Sequence, residues 1–171
     1  MSIALTQRPI VKFKVIPSPP TSLAVVGEMQ AAVPLVPDRE ESCCARLMSR
    51  TDVSAQDRAK EWLTFLRALE LVEEVDGGYR RLPADPDPAG MRAAFRERLY
   101  LVDDVLAVLE DADGPLDHEA VFERVKGRLP QWERLRHGDP EAVWRERVWR
   151  LLEWAVLLDL AARRNGGYVV S

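Results

Sequence analysis

Between Ala55 and Leu69 the apolar residues Ala55, Ala59, Trp62, Leu66 and Leu69 recur every three or four positions. That period places them on one face of a helix and leaves Gln56, Lys60, Thr64 and Arg67 on the other. The helix runs into Asp76-Gly77-Gly78-Tyr79, set between short runs of strand-forming residues. Asp and Gly tolerate the positive φ of a primed turn, so this segment predicts a tight hairpin. The same arrangement returns near the end of the chain when Gly77 is laid on Gly166. Trp62 then falls on Leu151, Leu63 on Leu152, Phe65 on Trp154, Leu66 on Ala155, Leu69 on Leu158, Leu71 on Leu160 and Tyr79 on Tyr168. Residue type and period agree together, which indicates an internal duplication. Each copy is a long amphipathic helix leading into a two-stranded hairpin.

The remaining pattern supplies shorter helices ahead of each copy. Apolar and basic residues alternate over Ile10 to Ile16 and stop at Pro17, Pro19 and Pro20, as in an edge strand or extended arm. Thr21 or Ser22 can cap a helix that runs to about Ala31. Asp38 is the expected cap of a second helix, with Glu40 and Glu41 at the positive end of its dipole. Ser54 is the expected cap of the long helix, with Asp57 completing a near capping box. The stretch from Pro83 to Gly90 is rich in proline and acids and reads as a linker. Beyond it Phe95, Leu99, Val102, Leu106 and Leu109 form one stripe, predicting a single helix from Met91 until Asp113-Gly114-Pro115 ends it. Asp117 caps a short helix, residues 130–139 read as a loop, and Asp139 with Pro140 starts the second long helix.

Composition narrows the classes. No stretch approaches the ~18–20 uninterrupted apolar residues of a membrane span, so no membrane partner is expected. The N-terminus lacks a basic start with a long apolar core, and a cytoplasmic location is expected. The chain carries 24 Lys and Arg against 28 Asp and Glu. Cys43 and Cys44 are adjacent, an unfavourable disulfide geometry, and fit small buried residues in a reducing compartment better than a redox switch. With only His118 and His137 besides, no metal-site spacing exists, and neither metal nor cofactor is expected. There is no glycine-rich phosphate loop or nucleophile elbow, so an enzyme is not expected.

Each half thus reads helix, helix, longer helix, hairpin. That order, with the repeated Gly-Gly-Tyr turn, resembles the winged helix-turn-helix family. The resemblance implies a mainly α fold with small β-hairpins, built as two tandem winged-helix domains: an arm over 1–20, domains over 21–83 and 91–171, and a linker over 84–90. It also implies that the third helix enters the DNA major groove while the hairpin wing touches the backbone. On the first copy the candidate DNA contacts are Gln56, Lys60, Thr64 and Arg67, with Arg80 and Arg81 on the wing. Gln can read adenine, and Lys, Thr and Arg can reach phosphate or guanine.

In the second copy the equivalent outward positions are Arg145, Trp149, Glu153 and Val156. Trp149, Glu153 and Val156 suit a protein interface better than a phosphate-lined groove. The charge is split accordingly: residues 1–84 carry eleven basic and eleven acidic side chains, residues 85–171 thirteen and seventeen. The expectation is a DNA-binding protein, a transcriptional regulator, whose first domain reads double-stranded DNA. Its second domain would mediate homodimerisation or bind a protein partner. The alternative is an adaptor of tandem winged-helix build in a chromosome or transcription complex, with no direct DNA contact.

Overall fold

The computed structural model describes residues 12–129, 131, 133 and 138–171. The first half runs α1 (Ala24–Ala32), β1 (Asp38–Arg39), α2 (Glu40–Arg50), α3 (Gln56–Ala68), β2 (Val72–Val75) and β3 (Gly78–Arg81). The second half runs α4 (Pro88–Arg98), α5 (Val102–Asp111), α6 (His118–Val125), a 3₁₀ turn (Lys126–Arg128), α7 (Pro140–Leu157), β4 (Ala161–Arg164) and β5 (Gly167–Val170). The fold is mixed α+β, with a three-stranded antiparallel sheet ordered β1-β3-β2 and a separate two-stranded sheet β4-β5. Helix, strand, helix, helix, hairpin is winged-helix order. The second half matches it from α5 onward, with Leu116 bridging Tyr168 in place of a first strand.

Both wings turn on the residues the duplication identified. Asp76 and Gly77 have φ of 52° and 78°, and Asn165 and Gly166 have 49° and 78°. Two consecutive positive φ values make the primed turn that matches strand twist. The helices ahead of the wings also end alike, on left-handed acids: Glu70 at φ 63° and Asp159 at φ 59°. Leu71 N donates to Leu66 O at 2.9 Å, and Leu160 N to Ala155 O at 2.8 Å. These bonds close the last turns in the Schellman manner.

Several local expectations need correction. Asp38 does not cap α2. It sits in β1 opposite Tyr79, its carboxylate accepts from Arg39 N, and Arg39 holds the cap position without a side-chain bond. Pairing with the wing recruits this residue before the helix can. Ser54 does not cap α3 either; Ala55 does, again without a side-chain bond, and the turn before it is held by Thr51 Oγ1 accepting from Val53 N at 3.2 Å. The helix expected from Met91 is two helices, α4 and α5. Phe13 N donates to Arg98 O at 2.7 Å and Tyr100 N to Phe13 O at 2.8 Å, so the N-terminal arm opens the chain at Leu99. Leu101 then takes φ 73°, an uncommon conformation for a bulky side chain, and is buried. Asp117 and Asp139 cap α6 and α7 as expected, accepting from Ala120 N and Ala142 N. The arm bears on the expectation over Ile10 to Ile16 only from Lys12 on, and residues 1–11 lie outside the described residues. So does most of the loop expected over 130–139, including Trp132 and His137.

The two sheets are separate, but the buried residues of both halves form one core. At the junction Trp154 of α7 meets Trp62 and Phe65 of α3 at ring-centroid distances of 5.7 and 4.5 Å, and Phe65 in turn meets Phe95 of α4 at 6.4 Å. The arm crosses the same junction. Ile16 and Pro17 are buried, Ile16 O accepts from Arg150, and Pro17 O accepts from Trp154 Nε1 at 2.9 Å. Lys14 pairs with the fully buried Glu133, which also accepts from Trp144 Nε1. A charge this deep is tolerable because both oxygens are bonded. Cys43 and Cys44 are free and buried, Cys43 with its thiol against Asp38 O of β1 and Tyr79 O of β3. Burial, with Asp38 nearby, pushes the Cys43 thiol up to about 11, so it packs as a small apolar group at neutral pH.

Candidate functional site

The outward face of α3 follows from its inward one. Ala59, Trp62, Leu63, Phe65, Leu66 and Ala68 are buried, which turns Gln56, Lys60, Thr64 and Arg67 away from the core. Gln56 and Lys60 are exposed, and Thr64 and Arg67 are half-buried. These four share one polar face. The wing arginines are placed differently. Arg80 stands opposite Glu73 and Arg81 opposite Val72, and neighbouring strand residues point to opposite faces. Both are half-buried, and Arg81 Nε is a buried donor without a hydrogen-bond partner. The structure therefore brings Gln56, Lys60, Thr64 and Arg67 together but splits Arg80 and Arg81 between the two sides of the wing.

Three of these cations already hold an acid from the same unit. Lys60 Nζ lies 3.9 Å from Glu40 and Arg67 Nη2 lies 3.6 Å from Glu74. Arg80 makes a close ion pair and hydrogen bond with Glu73 across the hairpin. Arg67 also stands over the Phe13 ring at 5.3 Å, as does Arg98, which pairs with Glu70 at 3.1 Å. The residues beyond the sequence reading are thus Phe13, Glu40, Glu73 and Glu74. The Glu73–Arg80 pair had a signal: the two positions are symmetric about the Asp76-Gly77 turn. Phe13 had none, because nothing local marks a contact with α3.

The matching face of α7 has another character. Glu153, at the position of Thr64, accepts from both Tyr168 Oη and Arg163 Nη2. Its side chain is only 12% exposed. Burial, and then this bond, pushes the Tyr168 phenol far above its usual range, so it remains a donor. The carboxylate thereby ties the second wing to α7. Arg145 lies over the Phe122 ring at 5.0 Å and near Glu119, and Val156 packs against the chain's own core. Trp149 is half-buried. Of the three expected interface residues, then, Glu153 and Val156 have intrachain partners, and Trp149 presents a partly open ring.

Among the described residues no group of three or more His, Cys, Asp or Glu could hold a metal ion, and no helix is long and apolar enough to cross a membrane. Set beside known proteins, the chain matches a family model described as the halobacterial double winged helix domain, over residues 11–171. No curated protein and no solved structure matches it.

Proposed function

The chain belongs to the halobacterial double winged helix domain family, and from that premise we propose that it is a DNA-binding regulatory protein whose first unit contacts duplex DNA. The observation that carries this reading is the outward face of α3, where four polar or cationic side chains stand together with no apolar residue among them. Gln56 is the candidate for base reading and Lys60, Thr64 and Arg67 for phosphate or guanine, with Arg80 on the wing and Arg81 a weaker candidate. The second unit, whose equivalent face is closed by Glu153 and its partners, serves protein contact, and Trp149 is the residue offered to a second copy of the chain. Sedimentation that gives a monomer at every concentration contradicts that last part alone.

The DNA reading is tested by binding to random-sequence duplex across a salt series. Lys60→Ala should weaken binding about equally for all sequences and lower the salt slope by up to about one, the value of one lost phosphate contact less what Glu40 takes back on release. An unchanged slope removes Lys60 from the contacts, whereas no binding by the wild type at any salt concentration favours the second reading, a protein-binding adaptor without DNA contact. The ion pairs on Lys60, Arg67 and Arg80 are the observation on its side.

A further inference from the structure

We infer that Glu73 and Glu74 restrain the first unit's affinity for DNA by competing with phosphate for Arg80 and Arg67, an inference that rests on the DNA-binding reading. The two acids are adjacent on β2, so they point to opposite faces of the wing. Each reaches a different cation. Glu73 stands across the hairpin from Arg80 and binds it, whereas Glu74 reaches Arg67 at the end of α3. The side chains of Glu73 and Glu74 remain 36% and 46% exposed. Neither carboxylate is needed to fill the core, and both are open to exchange.

Phosphates arriving at Arg80 and at Arg67, on the two faces of the wing, therefore do not meet free cations. Each must displace a carboxylate, Glu73 from Arg80 or Glu74 from Arg67. Each freed carboxylate gathers counterions of its own, which offsets part of the counterion release that drives phosphate binding. The exchange weakens the sequence-independent term equally for every duplex. Contacts from Gln56 and Thr64 to base edges carry no such offset, so the exchange lowers affinity and salt sensitivity for every duplex alike and leaves the ratio between sequences to those base contacts. Exposed ion pairs are individually weak, so the suppression is a factor of a few per pair and not a block.

The competing account is structural: the pairs merely hold the wing against α3. The double substitution Glu73→Gln/Glu74→Gln in the full chain separates the two, with random-sequence duplex binding followed by fluorescence anisotropy across a salt series. Competition predicts binding about three- to tenfold tighter at low salt, from two exposed pairs relieved. It also predicts a log–log salt slope steeper by up to about two, with an unchanged melting temperature. Wild type that binds, with a variant of the same affinity and slope, overturns the inference and leaves the DNA reading standing; so does a lower melting temperature without tighter binding. Absence of binding by both proteins at every salt concentration overturns both.

Discussion

Trp154→Ala should destabilise the whole chain by about 3–5 kcal/mol, the usual cost of removing a buried Trp. Both halves should lose structure in one transition. The indole is fully buried and sits where the halves meet, against Trp62 and Phe65. Tilted and edge-on contacts of this kind add about 0.5–1.5 kcal/mol per pair to plain burial. The substitution also deprives Pro17 O of its donor in the buried part of the arm. An acceptor left unpaired there costs about 1–3 kcal/mol more unless water reaches it. For a chain of this length each kcal/mol lowers the melting temperature by about 2–4 °C, so the shift should be about 6–20 °C. Calorimetry reads this directly. Two resolved transitions, with only the later half displaced, would show that the halves do not share a core in energetic terms.

The second large effect lies in the two glycines of each wing, which do different work. Gly77 has φ 78° and open space around a notional Cβ. Alanine there should cost about 1–2 kcal/mol, the strain of a left-handed residue. Gly78 has ordinary backbone angles, but a Cβ on it would stand 2.4 Å from Asp38 O. The backbone of β1 must retreat to admit it, and β1 has only two residues with which to pair. Gly78→Ala should therefore cost about 3 kcal/mol, the upper end of overpacking, and release β1 from β3. The second unit repeats the logic, since a Cβ on Gly167 would lie 2.9 Å from Leu116 C. Hydrogen exchange at Arg39 and Tyr79, with urea titration for stability, measures the effect. A Gly78→Ala protein as stable as Gly77→Ala contradicts it.

These glycines also show why the duplication was legible. A primed turn, a helix end and a first strand crossing close by all act within a few residues, so they leave a local phrase that survives in both copies. The inward stripe of α3 was readable for a similar reason: burial of Ala59, Trp62 and Leu66 follows directly from period. Long-range contacts left no such trace. Leu99 to Leu101 contains neither Gly nor Pro, and the break there comes from an arm more than eighty residues earlier in sequence. Asp38 looked like a cap because cap and strand end favour the same residue, and only pairing with Tyr79 decides between them. The acids that meet Lys60, Arg67 and Arg80 were visible as residues, but their distances belong to the folded wing. The second unit's face was readable as unlike the first, whereas the tie from Glu153 to Tyr168 and Arg163 needed the wing in place.

Amide chemical-shift mapping of the full chain, titrated with duplex DNA at moderate salt, bears most directly on whether the first unit is the one that meets DNA. The expected shifts cluster along residues 56–67 of α3 and along β2 and β3, with little change at Arg145, Trp149, Glu153 and Val156. Shifts centred on α7 and the second wing, or none at saturating duplex, would contradict it.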